Sequence, residues 1–312
     1  MSCLQIRDLT VRFETGFGTL TAVDKVSLGH EKRETLALVG ETGCGKSILA
    51  GAILKLLPED AGVSGAVLYE GRNLLSLSEK EISRIRGSEI SFVLQNPSLS
   101  LNPVYTVGKQ ISEVFRIHRK TKRTQAAEQT VRLLGRMGFD RPDEIFSLYP
   151  FQLSEGMNQR VLIAMAVALH PRIIIADEPT KGLDERLKKE VIEELDRIKE
   201  EKEASLLLIT HDLGTARKLS DRMAVMYCGQ ILEVSPTPDF FAEPLHPYSR
   251  ALLQSLPEKG FKPIEGAAPS MTAPPPGCRY HPRCDRKMDI CPEKEPELYQ
   301  KQGTSVKCFL YR

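Results

Sequence analysis

The sequence predicts an α/β fold with a parallel central sheet, on the evidence of its apolar runs and of the helical patterns between them. Runs short enough to be buried strands occupy 35–39, 172–176 and 206–210. Apolar residues at helical spacing follow the first run from Ile48 to Leu57 and the second from Glu185 to Glu203. Strands buried on both faces read as continuous apolar runs, and their alternation with helices is typical of parallel sheets.

Length and charge restrict the class of protein. With 312 residues and 41% hydrophobic content, the chain can bury one large core and carry an appendage. A net charge of +2, from 43 basic and 41 acidic residues, argues against a protein built to grip nucleic acid. The start of the chain has no signal-peptide pattern, and no run reaches 18 apolar residues. We expect a cytosolic protein that reaches a membrane only through a partner.

An antiparallel sheet is predicted ahead of the first buried strand. Residues 4–12 and 23–28 alternate apolar and polar side chains, as half-buried strands do. Phe13 and Phe17 lie in the link between them. An aromatic ring here can stack on a purine, but phenylalanine is more often a core residue, so both interpretations of Phe17 stay open.

A phosphate-binding loop is predicted between the first buried strand and its helix. It is called the phosphate loop below, and it consists of Gly40, Glu41, Thr42, Gly43, Cys44, Gly45, Lys46 and Ser47, with Ile48 continuing into the helix. Glycines let backbone N–H groups surround an anion at a helix N-terminus. Lys46 is expected to reach the β- and γ-phosphates and Ser47 to ligate Mg²⁺. The alternative is a turn that only links strand to helix, which leaves Lys46 and Ser47 without a reason.

Polar residues end two further predicted strands. Gln95 ends a strand at 89–94, where an amide can touch a metal ion or an attacking water. Asp177 and Glu178 end the apolar run that begins at Arg172. We expect Asp177 to hold nucleotide-bound Mg²⁺ through water and Glu178 to act as the base, the alternative being solvated strand ends.

A second glycine-containing helix start follows a predicted helical insertion at 107–138. This signature segment, 153–160, contains Ser154 as a helix N-cap and Gly156 two residues later, which makes a second anion site or a plain cap. Asp184 lies in a tight turn, and His211 ends the 206–210 strand, where it can contact a γ-phosphate. Residues 223–227 and 230–234 read as a hairpin.

Four of the seven cysteines lie beyond a proline-rich linker that begins near Gly260. Gaps of five, six and sixteen residues separate Cys278, Cys284, Cys291 and Cys308. Four thiolates can bind zinc or an iron–sulfur cluster, although these gaps are wider than in common structural zinc sites. Free thiols are the alternative, since disulfides are disfavoured in the cytosol.

Taken together, these motifs resemble the ATP-binding subunit of an ABC transporter. The resemblance rests on the phosphate loop, Gln95, Leu-Ser-Glu-Gly-Met-Asn-Gln-Arg at 153–160, Ile-Ile-Ile-Ala-Asp-Glu-Pro-Thr at 173–180, Leu183-Asp184 and Thr210-His211-Asp212. Further segments are similar to the D-type ATPases of oligopeptide, dipeptide and nickel importers. They are 95–97, 100–103, His246-Pro247-Tyr248, Leu252-Leu253 and 277–284.

The resemblance implies an α/β P-loop (RecA-like) nucleotide-binding domain with an antiparallel β subdomain. That domain would span 1–258, with a helical subdomain at about 96–160, and a cysteine-rich extension would span 259–312. It implies ATP and Mg²⁺ as ligands, with Ser47 and Gln95 at the metal, Glu178 as base and His211 at the γ-phosphate. The four C-terminal cysteines would hold a [4Fe–4S] cluster.

The resemblance also implies an assembly. Two ATPase subunits would pair head to tail, so that Ser154 and Gly156 contact the partner's nucleotide, with Asp184 also at the nucleotide. Two transmembrane permease subunits and an extracytoplasmic solute-binding protein would complete an importer, with this chain peripheral at the cytoplasmic membrane face. A soluble ABC ATPase, a nickel or metal-chelate importer and a structural subunit with little hydrolysis are the alternatives.

The sequence departs from the family at Glu155, where the signature normally has glycine. A carboxylate there adds negative charge beside a site for triphosphate and removes backbone freedom. We therefore expect a heterodimer with unequal sites. A smaller departure, Lys32-Arg33-Glu34 in place of Gly-Glu, is expected to alter only a turn.

Overall fold

The chain divides into two compact units in a computed structural model that describes residues 2–202 and 204–312. The terminal unit contains 1–77 and 208–312, and the middle unit contains 78–207. No helix in the described part of the chain is long and apolar enough to cross a membrane.

A helix follows each of the three predicted buried strands, and the sequence indicates the first two of these helices. The strands are β1 (Ser2–Thr15), β2 (Gly18–Glu31), β3 (Thr35–Val39), β4 (Gly62–Tyr69), β5 (Arg72–Asn73), β6 (Ile90–Val93), β7 (Ile173–Asp177), β8 (Ser205–Ile209), β9 (Arg222–Tyr227), β10 (Gln230–Pro236), β11 (Tyr299–Lys301) and β12 (Thr304–Val306). The helices are α1 (Lys46–Ile53), α2 (Glu79–Ile85), α3 (Pro97–Ser100), α4 (Val107–Arg119), α5 (Arg123–Arg136), α6 (Pro142–Ser147), α7 (Glu155–Val167), α8 (Glu185–Lys202), α9 (Leu213–Leu219), α10 (Thr237–Ala242) and α11 (Pro247–Gln254).

The terminal unit contains the predicted antiparallel sheet, in the order β2-β1-β4-β5. Leu4, Ile6, Leu9 and Val11 of β1 are all buried. The register of β1 against β2 shifts between Ile6 and Leu9, and Asp8 has a φ of 45° there. This bulge changes which side chains face inward, so the apolar alternation survives along a 14-residue strand.

A second sheet in the terminal unit carries the phosphate loop. β3 runs parallel to β9, β9 and β10 form the predicted hairpin, and β12 pairs with both β10 and β11. The extension predicted as an appendage after residue 258 therefore contributes strands to this sheet. Its Cys278, Tyr280 and Cys291 belong to the same buried cluster as Tyr227 and Tyr248.

The middle unit places β6 and β7 side by side in parallel, with Ile90 opposite Ile173. The region predicted as one helical stretch at 107–138 consists of α4 and α5, because Lys120 takes a left-handed conformation that ends α4. Ser112 and Thr130 share a buried hydrogen bond of 2.9 Å between the two helices. The segment after Gln95 includes the short α3.

Local capping explains two elements that periodicity missed. The Asn96 carboxamide accepts a hydrogen bond from the Leu99 N–H at 3.3 Å, and Pro97 stands at the first position of α3. Asp212 accepts hydrogen bonds from Gly214 and Thr215 at the start of α9. Short helices like these depend on their caps, since they contain too few turns for a readable apolar period.

Candidate nucleotide-binding site

The phosphate loop follows β3 and ends in the first turn of α1. Gly45 has a φ of 111°, and a Cβ there would lie 2.2 Å from the carbonyl oxygen of Ala22 in β2. At Gly40 a Cβ would lie 2.1 Å from the carbonyl oxygen of Met226 in β9. Only glycine fits these two positions, because neighbouring strands press directly on the loop backbone. The loop is therefore shaped by the sheets around it as well as by its own sequence.

The Lys46 side chain is buried and folds back over the loop. Its Nζ donates to the carbonyl oxygens of Gly40 at 2.8 Å and Glu41 at 3.0 Å, and it lies 3.7 Å from the Cys44 Sγ. Burial raises the pKa of the Cys44 thiol, which favours the neutral form beside the ammonium. An ammonium held at the loop can exchange these neutral carbonyls for charged phosphate oxygens, which are stronger acceptors.

The other loop residues differ in exposure in a way that fits an anion cradle. Thr42, Gly43 and Ser47 are exposed, whereas Glu41 and Ile48 are half-buried. Ser47 stands in the first turn of α1, where free backbone N–H groups and the helix dipole favour an anion. These residues fit a nucleotide triphosphate with its Mg²⁺, because donors and a hydroxyl oxygen converge at one helix start.

Phe17 lies in the turn between β1 and β2 with 96% of its surface exposed. The core interpretation of this ring is therefore wrong, and its stacking on a base stays a prediction. Phe13, which the sequence placed in the same link, belongs to β1.

The acidic pair lies in the middle unit. Asp177 ends β7 and is buried, and Glu178 is buried as well. Glu178 has a φ of 49°, a left-handed conformation that costs energy for a residue with a Cβ. Such strain persists only where the surroundings enforce it, and it is typical of functional positions. Gln95 follows β6 in the same unit and is half-buried.

The signature segment is an ordinary capped helix start. The Ser154 Oγ accepts a hydrogen bond from the Met157 N–H at 3.3 Å, and Ser154 and Glu155 are exposed. A Cβ on Gly182 would lie 3.1 Å from Oε1 of Glu155, so this carboxylate lies against the turn that precedes Asp184. Asp184 itself accepts a hydrogen bond from the Leu187 N–H at 2.9 Å and caps α8.

The predicted residues fall into two groups, one in each unit. The phosphate loop, Phe17 and an exposed His211 belong to the terminal unit, where His211 follows β8. Gln95, Ser154, Gly156, Asp177, Glu178 and Asp184 belong to the middle unit.

Of the four C-terminal cysteines, Cys278, Cys291 and Cys308 are buried and Cys284 is half-buried. Burial raises the pKa of Cys278 to about 12 and of Cys284 to about 11, and the other cysteines of the set add to both shifts. Among the described residues, no group of three or more cysteine, histidine or carboxylate side chains is arranged to hold a metal ion. The arrangement of the described side chains therefore does not support the predicted cluster site.

Two contacts of the loop were absent from the sequence prediction. The Glu41 N–H donates to the Tyr248 Oη at 2.9 Å, and the Glu41 carboxylate pairs with Arg283. Tyr248 was noticed only as part of a His-Pro-Tyr motif, and no local signal connects either residue with position 41.

Comparisons with known proteins agree with this geometry. The profile of the ABC transporter family matches residues 23–181, and that of the oligopeptide/dipeptide transporter C-terminal region matches residues 232–291. The oligopeptide transport ATP-binding protein AppD of Bacillus subtilis is 42% identical over 99% of this chain and 96% of its own length. The dipeptide transport ATP-binding protein DppD of the same organism is 39% identical over 98% of this chain and 94% of its own length.

Solved structures show the same fold. The cbiO1 protein of Clostridium perfringens, part of the ABC transporter complex cbiONQ, superimposes with a TM-score of 0.65 at 26% identity. That match covers 78% of this chain and 91% of cbiO1. The ATP-binding cassette MJ0796, in a dimeric post-hydrolysis state with ADP and Pi, gives 0.68 at 24% identity, over 75% of this chain and 98% of its own. This chain belongs to the ABC transporter family, among the ATP-binding proteins of its oligopeptide/dipeptide transporter group.

Proposed function

We propose that this chain is the ATP-hydrolysing subunit of an ABC importer that takes up peptides. The observation that carries the proposal is the complete phosphate loop, with Lys46 held at the helix start, in a chain that aligns over nearly its whole length with oligopeptide and dipeptide transport ATP-binding proteins. A nickel or metal-chelate importer is the alternative within the same group, since the solute is selected mostly by the binding protein and the permease.

The residues of the site divide the chemistry between them. Loop N–H groups and Lys46 bind the β- and γ-phosphates and stabilise the charge that develops during transfer. Ser47 and Gln95 would hold Mg²⁺, with Asp177 contributing to the same ion, and the ion would neutralise charge on the phosphate oxygens. Glu178 accepts a proton from the attacking water, and His211 hydrogen-bonds the γ-phosphate. Phe17 stacks on the adenine ring.

The subunit acts in an assembly. We infer a head-to-tail pairing with a second ATPase subunit, in which Ser154 and Gly156 face the partner's nucleotide and Asp184 lies beside it. Two permease subunits and an extracytoplasmic solute-binding protein complete the importer, and this chain is peripheral at the cytoplasmic membrane face. ATP binds the closed conformation of the ATPase pair more tightly than the open one. This difference in affinity shifts the permease between its states.

The exposed carboxylate of Glu155 makes the two nucleotide sites of that pair unequal. It places a negative charge beside the site that the signature segment completes, in a position where the family has glycine. A Glu155→Gly variant should therefore raise the ATPase rate of the assembled transporter by a few-fold, about 1 kcal/mol in the barrier. Glu178→Gln should lower the rate. Equal losses in the two variants would contradict unequal sites.

A cluster ligated by the four C-terminal cysteines stays a proposal. The four thiols have the number and softness that a [4Fe–4S] cluster requires, and Cys278, Cys284 and Cys291 pack in one hydrophobic cluster. Purification without oxygen, followed by iron, sulfide and zinc analysis, tests it. Four irons with sulfide per chain would support the cluster. One zinc or no metal would remove it and leave the ATPase proposal intact.

Transport and hydrolysis test the function itself. The chain, produced with its permease and partner ATPase in proteoliposomes, should hydrolyse ATP and accumulate peptide when the binding protein is supplied. Lys46→Ala should abolish both. Hydrolysis without any stable association with membrane proteins would favour the soluble ATPase, and transport that survives Glu178→Gln but not Lys46→Ala would favour a subunit with little hydrolysis.

A further inference from the structure

Glu41, the second residue of the phosphate loop, is held on three sides. Its N–H donates to the Tyr248 Oη at 2.9 Å, and its carbonyl oxygen accepts from the Lys46 Nζ at 3.0 Å. Its carboxylate accepts two hydrogen bonds from Arg283, at 2.8 Å from Nη1 and 3.0 Å from Nη2. A residue fixed through its N–H, its carbonyl and its side chain leaves the loop little freedom at this point.

Arg283 comes from the C-terminal extension, 242 residues further along the chain. Its Nε donates to the Glu265 carbonyl oxygen at 2.9 Å, and its Nη1 also donates to the Tyr227 Oη at 3.3 Å. The side chain of Arg283 is only 5% exposed and that of Glu41 is 27% exposed. The planar guanidinium is thus oriented by two further contacts before it meets the carboxylate, which is the arrangement that a two-pronged pair needs.

The pair also compensates the negative charge that Glu41 brings to the phosphate loop. Glu41 puts a carboxylate in a loop whose ligand is a triphosphate, and like charges repel strongly where the surroundings are partly buried. Arg283 compensates that charge. Removal of the arginine would leave the carboxylate uncompensated and the loop free to move at position 41.

We propose that Arg283 is a positioning residue of the nucleotide site, which fixes the phosphate loop through Glu41 and neutralises it, so that ATP affinity depends on the C-terminal extension. This rests on the proposed ATPase function. Because Arg283 contacts the loop at Glu41 and not the acidic pair, its loss should raise Kd and KM for ATP and leave kcat nearly unchanged. The extension is then a working part of the ATP site.

The test uses the full-length chain and compares binding of ATP and ADP with steady-state hydrolysis. Arg283→Gln should raise Kd and KM about tenfold, with kcat within about twofold. Arg283→Lys keeps the charge but cannot bind the carboxylate with two parallel bonds, so it should recover part of the affinity. It also serves if Arg283→Gln folds poorly.

A matched control lies at the other end of β3 and β9. Glu41 follows β3, and Tyr227, which contacts Arg283, ends β9. Arg222 at the start of β9 pairs with Glu34, which precedes β3, at 2.9 Å. Glu34 is 7% exposed, so this pair is also partly buried. Arg222→Gln should lower the thermal midpoint much as Arg283→Gln does but leave the Kd for ATP unchanged.

A double variant separates charge from packing. Adding Glu41→Gln to Arg283→Gln removes the uncompensated carboxylate, so the double variant should bind ATP more tightly than Arg283→Gln alone. A wild-type Kd in Arg283→Gln, an equal rise in Arg222→Gln, or a double variant no tighter than the single one would overturn the proposal. A wild-type chain that neither binds nor hydrolyses ATP would overturn the proposed function, and the role of Arg283 with it.

Discussion

The phosphate loop and the signature segment both bring glycine to the start of a helix, yet they are held in different ways. Strand backbones at Ala22 and Met226 press on the loop, and Tyr248 and Arg283 hold Glu41 from distant parts of the chain. The signature segment depends on one local cap, from Ser154 to the Met157 N–H, and its polar side chains are exposed. The shape of the phosphate loop is therefore set by distant parts of the fold, whereas the shape of the signature segment is set by its own cap.

The largest expected difference between the two units concerns catalysis. Lys46→Ala removes the cation of the loop and should lower kcat/KM for ATP by about 10²- to 10³-fold, with nucleotide binding weakened. Glu178→Gln in the middle unit should lower kcat by at least about 10²-fold and leave ATP binding intact, because the amide cannot accept the proton. Turnover and binding measured on the same preparations check this. Weakened ATP binding in Glu178→Gln would contradict the assignment of binding to Lys46 and of turnover to Glu178.

Adding one methyl group to each helix start compares their packing. Gly45→Ala places a Cβ against the Ala22 carbonyl oxygen in a left-handed conformation, so it should cost about 3 kcal/mol of unfolding free energy. Gly156→Ala meets the Leu187 Cδ1 at 2.7 Å, a flexible side-chain end, and gains helix propensity. Its net cost should stay below about 1 kcal/mol. Urea unfolding of both variants would expose similar costs if the packing contrast were wrong.

Acid should destabilise the fold through His246, which contacts Tyr248, the residue that binds the phosphate loop at Glu41. Burial lowers the pKa of His246 to about 3 from a usual value of 6.5, and its Nδ1 accepts the Tyr248 N–H at 3.0 Å. His246 of the unfolded chain binds a proton near pH 6.5, and His246 of the folded chain does not. The free energy of unfolding is therefore highest above pH 6.5 with respect to this group, and it falls as pH falls toward 3. The loss should reach about 2 kcal/mol by pH 5.

Urea midpoints between pH 8 and 5 measure this dependence in the wild type and in His246→Asn. The asparagine oxygen can accept the same N–H and does not titrate, so the variant should show a flatter profile. Parallel profiles would exclude His246 as the source of acid sensitivity.

The smallest effect is expected at the signature cap. Ser154→Ala removes the bond to the Met157 N–H and should cost about 1 kcal/mol of unfolding free energy. Ser154→Asp retains a capping oxygen and should restore stability. If the segment also faces the partner's nucleotide, Ser154→Asp should keep the stability but lower the ATPase rate of the assembly, since a carboxylate repels phosphate. Recovery of both would reduce Ser154 to a cap.

Several parts of the fold were readable locally, and others were not. Local patterns of fewer than about a dozen residues predict three features: the phosphate loop, the acidic end of β7 and the hairpin of β9 and β10. The patterns are glycine spacing, apolar runs and turn residues. The break between α4 and α5 was missed because Lys120 adopts a left-handed conformation without a glycine to indicate it. α10 and α11 were missed because helices of six and eight residues are too short for a readable apolar period.

The sequence by itself determined the class of protein, because phosphate binding and strand burial depend on residues that are adjacent along the chain. Only the tertiary structure decided that Phe17 is exposed, that the extension after residue 258 adds β12 to the sheet of the phosphate loop, and that Arg283 meets Glu41. The physical reason is sequence separation. The partly buried ion pair joins residues 242 positions apart, so it depends on how the intervening chain folds, and no local pattern indicates it.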